Sequence, residues 1–417
     1  MSASDKPRHH WRASDLRAVT LLATQATSAV TRMAEGVHQS VWRTLGAPSG
    51  ATPDQTRGLT GLIYQSITGV TQRVGSGMAA ALTRLEPLLQ RLEAPGDESV
   101  ERAAMLAALN GVMGDRLQVA GNPLATPMTL RFQNTQVTSK VLIVIHGLCM
   151  NERQWASQHA GLPVNHAETL ANALGYTPVY VRYNSGLHVS ENGHLLAQQL
   201  EDLARGWSVP LTELSVLAHS MGGLVTRSAL ASATAKAQAW PKLLKKIVFL
   251  GTPHHGSPLE RAGHWVDVIL GSTPYSRPLA KLGQLRSAGI TDLRYGHVLD
   301  ADWQGHDRFR RQPDSRVPLP LPAGVACFAV AATSATQRSA LSDRLVGDGL
   351  VPLHSALGQH DDPKRCLHFA AENQFIAYRT SHLALLSSPA VAAHLLKWLS
   401  PSSPDEAKRN PGAPGPT

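Results

Sequence analysis

Three residue types that can act together on a carbonyl occur in a telling order: a serine, then an aspartate, then a histidine. Ser220 sits at the apex of Leu214-Ser215-Val216-Leu217-Ala218-His219-Ser220-Met221-Gly222-Gly223-Leu224-Val225, which reads as an apolar strand, a tight turn and a helix. That is the layout of a nucleophile elbow, where a strained strand-to-helix turn pushes Ser Oγ out above a sheet. The usual pattern is G-x-S-x-G. Here Ala218 replaces the first glycine, the mildest change where strand and helix nearly touch.

A serine is a poor nucleophile at its own pKa. It needs a neutral imidazole as base and a carboxylate that fixes the imidazole tautomer. Asp348, between Gly347 and Gly349, lies in a loop just after the expected penultimate strand and is the expected acid. Asp343, Asp361 and Asp362 compete for the role from poorer surroundings. His382, in Thr380-Ser381-His382-Leu383, follows the expected last strand at the start of the final helix and is the expected base. His368 falls within that strand and His394 deep in the helix. A tetrahedral intermediate also needs two backbone N–H donors. Met221, directly after the serine, should supply one. Leu148, in the loop His146-Gly147-Leu148-Cys149 after the first buried strand, should supply the other.

The pocket around this centre is expected to draw on His146, His219, His254 and Trp265. His146 is read as bracing its turn, and His219 as pointing away from the reaction. Leu250-Gly251-Thr252-Pro253-His254-His255-Gly256 forms a rigid border. His254 and His255 invite a metal, but no Cys or carboxylate cluster stands at ligand spacing, so no metal site is expected. No cofactor is expected either.

Strands and helices must hold these groups. Lys140–Ile145 is a continuous apolar run, as in a strand buried on both faces of a parallel sheet. Strands are expected at 128–132, 178–183, 213–218, 246–250, 325–332 and 366–370. Helices are expected at 191–205, 222–236 and 382–399. Alternation of this kind means a doubly wound, mostly parallel α/β sheet. Residues 257–322 break it with Trp265, Trp303 and several prolines, and read as a cap or lid insertion. The expected organisation is a flexible tail (1–12), an N-terminal helical appendage (13–120), a catalytic domain (121–399) and a disordered tail (400–417).

The composition excludes several classes. The chain has 417 residues, of which 17% are charged and 5% aromatic, with three cysteines and a formal net charge of +9. No helix-turn-helix, zinc-finger spacing or aromatic stacking pattern accompanies the positive charge, so nucleic acid is not an expected partner. Cys149, Cys327 and Cys366 stand in apolar contexts and read as free thiols in a reducing compartment. No secretory signal and no apolar run of spanning length are seen, so a cytoplasmic protein is expected. The N-terminal helices read as a small bundle packed on the main domain; they carry Arg12, Arg17, Arg32 and Arg43, and two other uses stay open for them: a peripheral membrane contact or a homo-oligomer contact.

With these motifs in hand, the chain resembles the α/β-hydrolase superfamily. More narrowly it is similar to the lipase-like branch that includes the GPI inositol-deacylases and their bacterial relatives. His146-Gly147-Leu148, Tyr183-Asn184-Ser185-Gly186, the elbow, Leu250 to Gly256, Gly347-Asp348-Gly349-Leu350-Val351-Pro352 and His382 carry the resemblance. It covers about residues 129–399. It implies a serine carboxylic-ester hydrolase working through an acyl-serine on an apolar lipid or small-molecule ester. The same triad would serve an acyltransferase or thioesterase. A reading of another class, a helical lipid-surface or protein-interaction module, rests on the N-terminal helices alone.

Overall fold

The computed structural model describes residues 98–132, 137–257, 286–307, 314–336 and 347–401, plus scattered helical positions between 15 and 76. The chain divides into two compact units, Met1–Ala103 with Arg116–Ala125, and Ala104–Asp115 with Thr126–Thr417. Most of the expected N-terminal helices, much of the expected cap and nearly all of the C-terminal tail lie outside the described residues. In the first unit, Ser99 caps helix α1 (Val100–Val119), and Arg102 pairs with Asp15 at 2.6 Å.

The second unit is built on a seven-stranded sheet. Its strands are β1 (Thr129–Arg131), β2 (Lys140–Ile145), β5 (Thr177–Arg182), β6 (Glu213–His219), β7 (Leu244–Leu250), β8 (Ala326–Thr333) and β9 (Gln374–Tyr378). A small hairpin, β3 (Ser157–His159) with β4 (Leu162–Val164), stands apart from it. The order is β1-β5-β2-β6-β7-β8-β9, with only β1 antiparallel to its neighbour. This is the doubly wound, mostly parallel α/β sheet that the motifs lead one to expect.

The apolar runs explain why the sheet is covered twice. Along β2, Val141, Ile143 and Ile145 enter one core while Leu142 and Val144 enter the other. Ile247 and Phe249 of β7 join the first core, Val248 and Leu250 the second. Successive side chains of a strand point to opposite faces, so a strand buried on both must be apolar throughout. Helices α2 (His166–Leu174) and α6 (Pro389–Leu399) pack together, contributing Leu170, Val391 and Leu395 to the second core. On the other face α3 (Val189–Gly206) packs on α4 (Met221–Ala235).

The sheet order places the site. The chain runs from β2 outward to β5, then returns to the other side of β2 as β6. The carboxyl ends of β2 and β6 therefore flank a topological switch point, where open α/β sheets leave a crevice.

Two expected elements are corrected. Residues 366–370 are not a strand; the strand is β9, and His368 lies outside it, exposed. Leu367 and Phe369 point inward like alternate strand residues, but Leu367 N–H donates to Gly358 O and Phe369 N–H to Leu367 O, so that backbone joins no ladder. The final helix begins at Pro389 rather than His382. Residues before proline are pushed out of the helical region, and Ser388 adopts ψ 122 and caps the helix instead. His382 consequently stands in a loop, just ahead of the short 3-10 turn Leu383–Leu386.

Candidate active site

Ser220 occupies φ 55, ψ −123, a backbone conformation that L-residues rarely adopt. Such strain costs on the order of 1–3 kcal/mol and persists only where surroundings over-determine it. Two sets of contacts do so here. Ser220 N–H donates to Leu250 O at 2.8 Å, and Gly223 N–H donates back to Ser220 O at 3.0 Å. Ala218 is fully buried between Ile145 and Phe249 of the neighbouring strands. A Cβ on Gly222 would lie 2.8 Å from the carbonyl oxygens of Ile145 and His146, so the helix can start this close to β2 only with glycine there. Ser220 is 1% exposed, and its Oγ has no hydrogen-bond partner among the described residues.

The expected acid and base, Asp348 and His382, come together beside this turn. Gly347 and Gly349 take positive φ, 48° and 94°, which bends the chain sharply around Asp348. One carboxylate oxygen of Asp348 accepts the N–H groups of Leu350 and Val351 at 2.9 and 2.7 Å. The other lies 2.6 Å from Nδ1 of His382. A carboxylate only accepts, so Nδ1 carries the proton and Nε2 is left as the basic nitrogen. His382 N–H donates to Asp348 O at 3.2 Å, which ties the two loops at the backbone as well. Both side chains are almost fully buried. A Cβ on Gly251, the residue after the carbonyl that holds Ser220, would come within 3.0 Å of the His382 ring. The imidazole thus lies beside the elbow, although 162 residues separate it from the serine in sequence.

Met221 opens α4, so its N–H belongs to the first turn, whose donors have no partner within the helix. Leu148 lies in the loop after β2, and that loop touches the serine. A Cβ on Gly147 would sit 3.0 Å from Ser220 Cβ. The next N–H along, that of Cys149, is taken by Ser185 Oγ at 3.0 Å.

The other expected pocket residues separate by role. His146 is fully buried and stacked on Tyr183 at 4.3 Å, with Nδ1 donating to Gly147 O at 2.8 Å. Burial lowers its pKa to about 4, so it is a neutral brace. His219 is buried too, its ring 4.7 Å from that of His382 and its Nε2 3.2 Å from His382 O. Burial and the neighbouring His382 hold its pKa well below the usual value. His254 is wedged against Phe249 and Phe369, also kept neutral, chiefly by burial. Trp265 lies outside the described residues. Cys149 and Cys327 are buried thiols, each pushed up to about 12 by burial, while Cys366 is half-buried.

Sequence patterns gave no notice of a cavity of about 370 Å³ bordered by His188, His255, Asp292, Trp303, Arg316 and His360. It includes neither Ser220, Asp348 nor His382. At its edge Asp292, fully buried, accepts from His188, His297 and the Val189 N–H. No signal in the sequence joins these groups, since His188 and Asp292 stand 104 positions apart. Among the described residues no group of three or more His, Cys, Asp or Glu could hold a metal ion, and no helix is long and apolar enough to cross a membrane.

A family described as a domain of unknown function (DUF7379) matches residues 120–293. No curated protein matches the sequence. Solved structures do. The mature lipase BlEst2 of Bacillus licheniformis is 19% identical, covering 66% of this chain and all of its own, with a TM-score of 0.41. Lipase B of Aspergillus fumigatus is 13% identical over 67% of this chain and 58% of its own, with a TM-score of 0.40. A lipase-esterase related protein of Clostridium acetobutylicum is 13% identical over 66% of this chain and 100% of its own, with a TM-score of 0.36.

Proposed function

We propose that the protein is a serine carboxylic-ester hydrolase of the lipase-like kind, within the branch whose motifs resemble the GPI inositol-deacylases. The observation that carries this reading is the buried Asp348–His382 pair held at 2.6 Å beside a serine in a strained elbow. Ser220 Oγ attacks the ester carbonyl carbon while its proton passes to Nε2 of His382. The carbonyl electrons move onto oxygen, where the N–H groups of Leu148 and Met221 receive them. Collapse of the tetrahedral intermediate expels the alcohol, which takes the proton from His382. Water then repeats the sequence on the acyl-serine and releases the acid. Asp348 holds the tautomer throughout and stabilises the imidazolium. This scheme needs no cofactor.

An apolar acyl group is the expected substrate part, taken up beneath the 257–322 insertion. The N-terminal helices are proposed as the site of any peripheral membrane or self-association contact. The test is hydrolysis of p-nitrophenyl esters of increasing chain length by the wild type and Ser220→Ala. Loss of at least about 10⁴-fold in kcat/KM with unchanged melting is expected. Full activity in Ser220→Ala overturns the assignment.

A further inference from the structure

The middle of α1 is the feature that this mechanism leaves unused. Residues 104–115 belong to the same compact unit as the sheet, and Ala108 and Val112 are fully buried in its core. The helix breaks its own geometry there, with Met113 at φ −144, ψ 20. Around that break, three loops of the site are anchored.

The loop after β2 comes first. A Cβ on Gly111 would lie 2.2 Å from Cys149 Sγ, 2.8 Å from its Cα and 2.9 Å from its N, so the α1 backbone presses directly on the residue after Leu148. Cys149 is itself in the left-handed region, φ 57. The loop after β5 comes second. Asn184 donates to Gly114 O at 3.0 Å, and Ser185 of the same loop accepts the Cys149 N–H. Third is the start of α5 (Ala288–Tyr295). Ser287 Oγ donates to Gly111 O at 2.6 Å, and Ala288 N–H donates to Asp115 at 3.1 Å. The next residue, Gly289, is so near Met221 that a Cβ would lie 3.0 Å from Met221 Cε.

One kinked turn therefore braces the surroundings of both residues whose N–H groups would receive the oxyanion. We propose that residues 110–115 of α1 form a clamp that sets the oxyanion geometry, with Gly111 and Ser287 as positioning residues. The proposal rests on the ester-hydrolase reading above. Catalytic groups misplaced by about 1 Å lose on the order of 100-fold in rate. Gly111 cannot gain a methyl group without moving Cys149, and Leu148 with it. The ground-state ester does not use this geometry fully, so the effect falls on the transition state.

The test uses the full chain and compares Gly111→Ala, Ser287→Ala and the double variant Gly111→Ala/Cys149→Ala with wild type and Ser220→Ala. Kinetics on a p-nitrophenyl ester are run beside binding of a trifluoromethyl ketone, which forms a tetrahedral adduct on the serine. Gly111→Ala is expected to lower kcat about 30-fold with KM within about 3-fold, and to raise the ketone Ki by the same factor as kcat/KM falls. Ser287→Ala is expected to lower kcat about 5-fold, again without a KM change. Removing Sγ in the double variant should recover part of the kcat, because the 2.2 Å overlap is then gone. If Gly111→Ala is too unstable to purify, Ser287→Ala decides alone. A folded Gly111→Ala or Ser287→Ala with wild-type kcat and ketone affinity overturns the clamp, as does a loss that moves KM and kcat together. Full activity in Ser220→Ala would instead overturn the ester-hydrolase reading itself, and the clamp with it.

Discussion

Among the described residues two buried aspartates, Asp348 and Asp292, each hold histidine, and the Asp348 pair stands beside the strained Ser220. Asp348 gives one oxygen to the N–H groups of Leu350 and Val351 and the other to His382, next to the strained Ser220. Asp292 accepts from His188 at 3.0 Å, from His297 at 3.1 Å and from the Val189 N–H at 2.8 Å. The second cluster reaches from the start of α3 to α5 and the turn after it, and His188 also stacks on Trp303 at 3.7 Å. Burial alone would push the Asp292 carboxyl up, but His188 and His297 hold it below the usual carboxylate range. An Asp–His pair is therefore not a catalytic signature by itself. What distinguishes Asp348 is a third group, Ser220, held in a backbone conformation that costs free energy.

The comparison can be broken at either end. Asp348→Asn keeps an oxygen for Leu350 and Val351 but no longer enforces the His382 tautomer. It is expected to lower kcat/KM by about 10⁴-fold while melting changes little, measured by ester hydrolysis and thermal denaturation. Asp292→Asn should do the reverse. Loss of a buried charged partner is expected to cost about 3 kcal/mol in denaturant unfolding, with turnover per folded molecule within about 3-fold of wild type. Equal activity losses in the two variants would erase the distinction.

Acid should separate the regions as well. Burial lowers the His146 pKa from about 6.5 to about 4, so the unfolded chain binds a proton in that window that the folded chain does not. Stability from keeping His146 neutral is complete above about 6.5 and is lost as pH falls toward 4, about 3 kcal/mol in all. His219 and His254, lowered by burial in the same direction, add to the loss. Asp292, lowered from its ordinary value of 3.8, contributes stability that is present above that value and is lost only as pH falls below it. Hydrogen exchange followed from pH 7 to pH 4 should show the loops at 146–149 and 219–223 loosening before α5. The opposite order would contradict it. The smallest effect is expected from Trp303→Phe, which keeps an aromatic ring but loses the hydrogen bond to Ser190 Oγ at 2.9 Å. About 1 kcal/mol of stability and no turnover should be lost.

The groups brought together at the candidate site were readable where chemistry is written in local pattern. Ser220 follows an apolar run and precedes two glycines; Asp348 stands between two glycines. His382 falls after the last strand although the ends of both that strand and the final helix differ from those the pattern suggests, because the order of elements along the chain survives shifts of their ends. Residues 366–370 imitate a strand because Leu367 and Phe369 alternate inward just as a strand would. Periodicity reports burial, not pairing. The Asp292 cluster and the α1 clamp left no trace, because each joins positions about 40 to 175 residues apart through single contacts that no local pattern encodes.

By itself the amino-acid sequence determined the α/β class and the order of serine, acid and histidine. Apolar runs and glycine-flanked turns follow from burial and backbone sterics within a few residues. The tertiary structure alone decided that β6 returns beside β2, which puts the loop at Leu148 against Ser220. It also decided that His382 meets Asp348, and that a kinked turn of α1 presses on Cys149. These are outcomes of packing between distant segments, where fit in three dimensions selects among partners that the chain lists with equal weight.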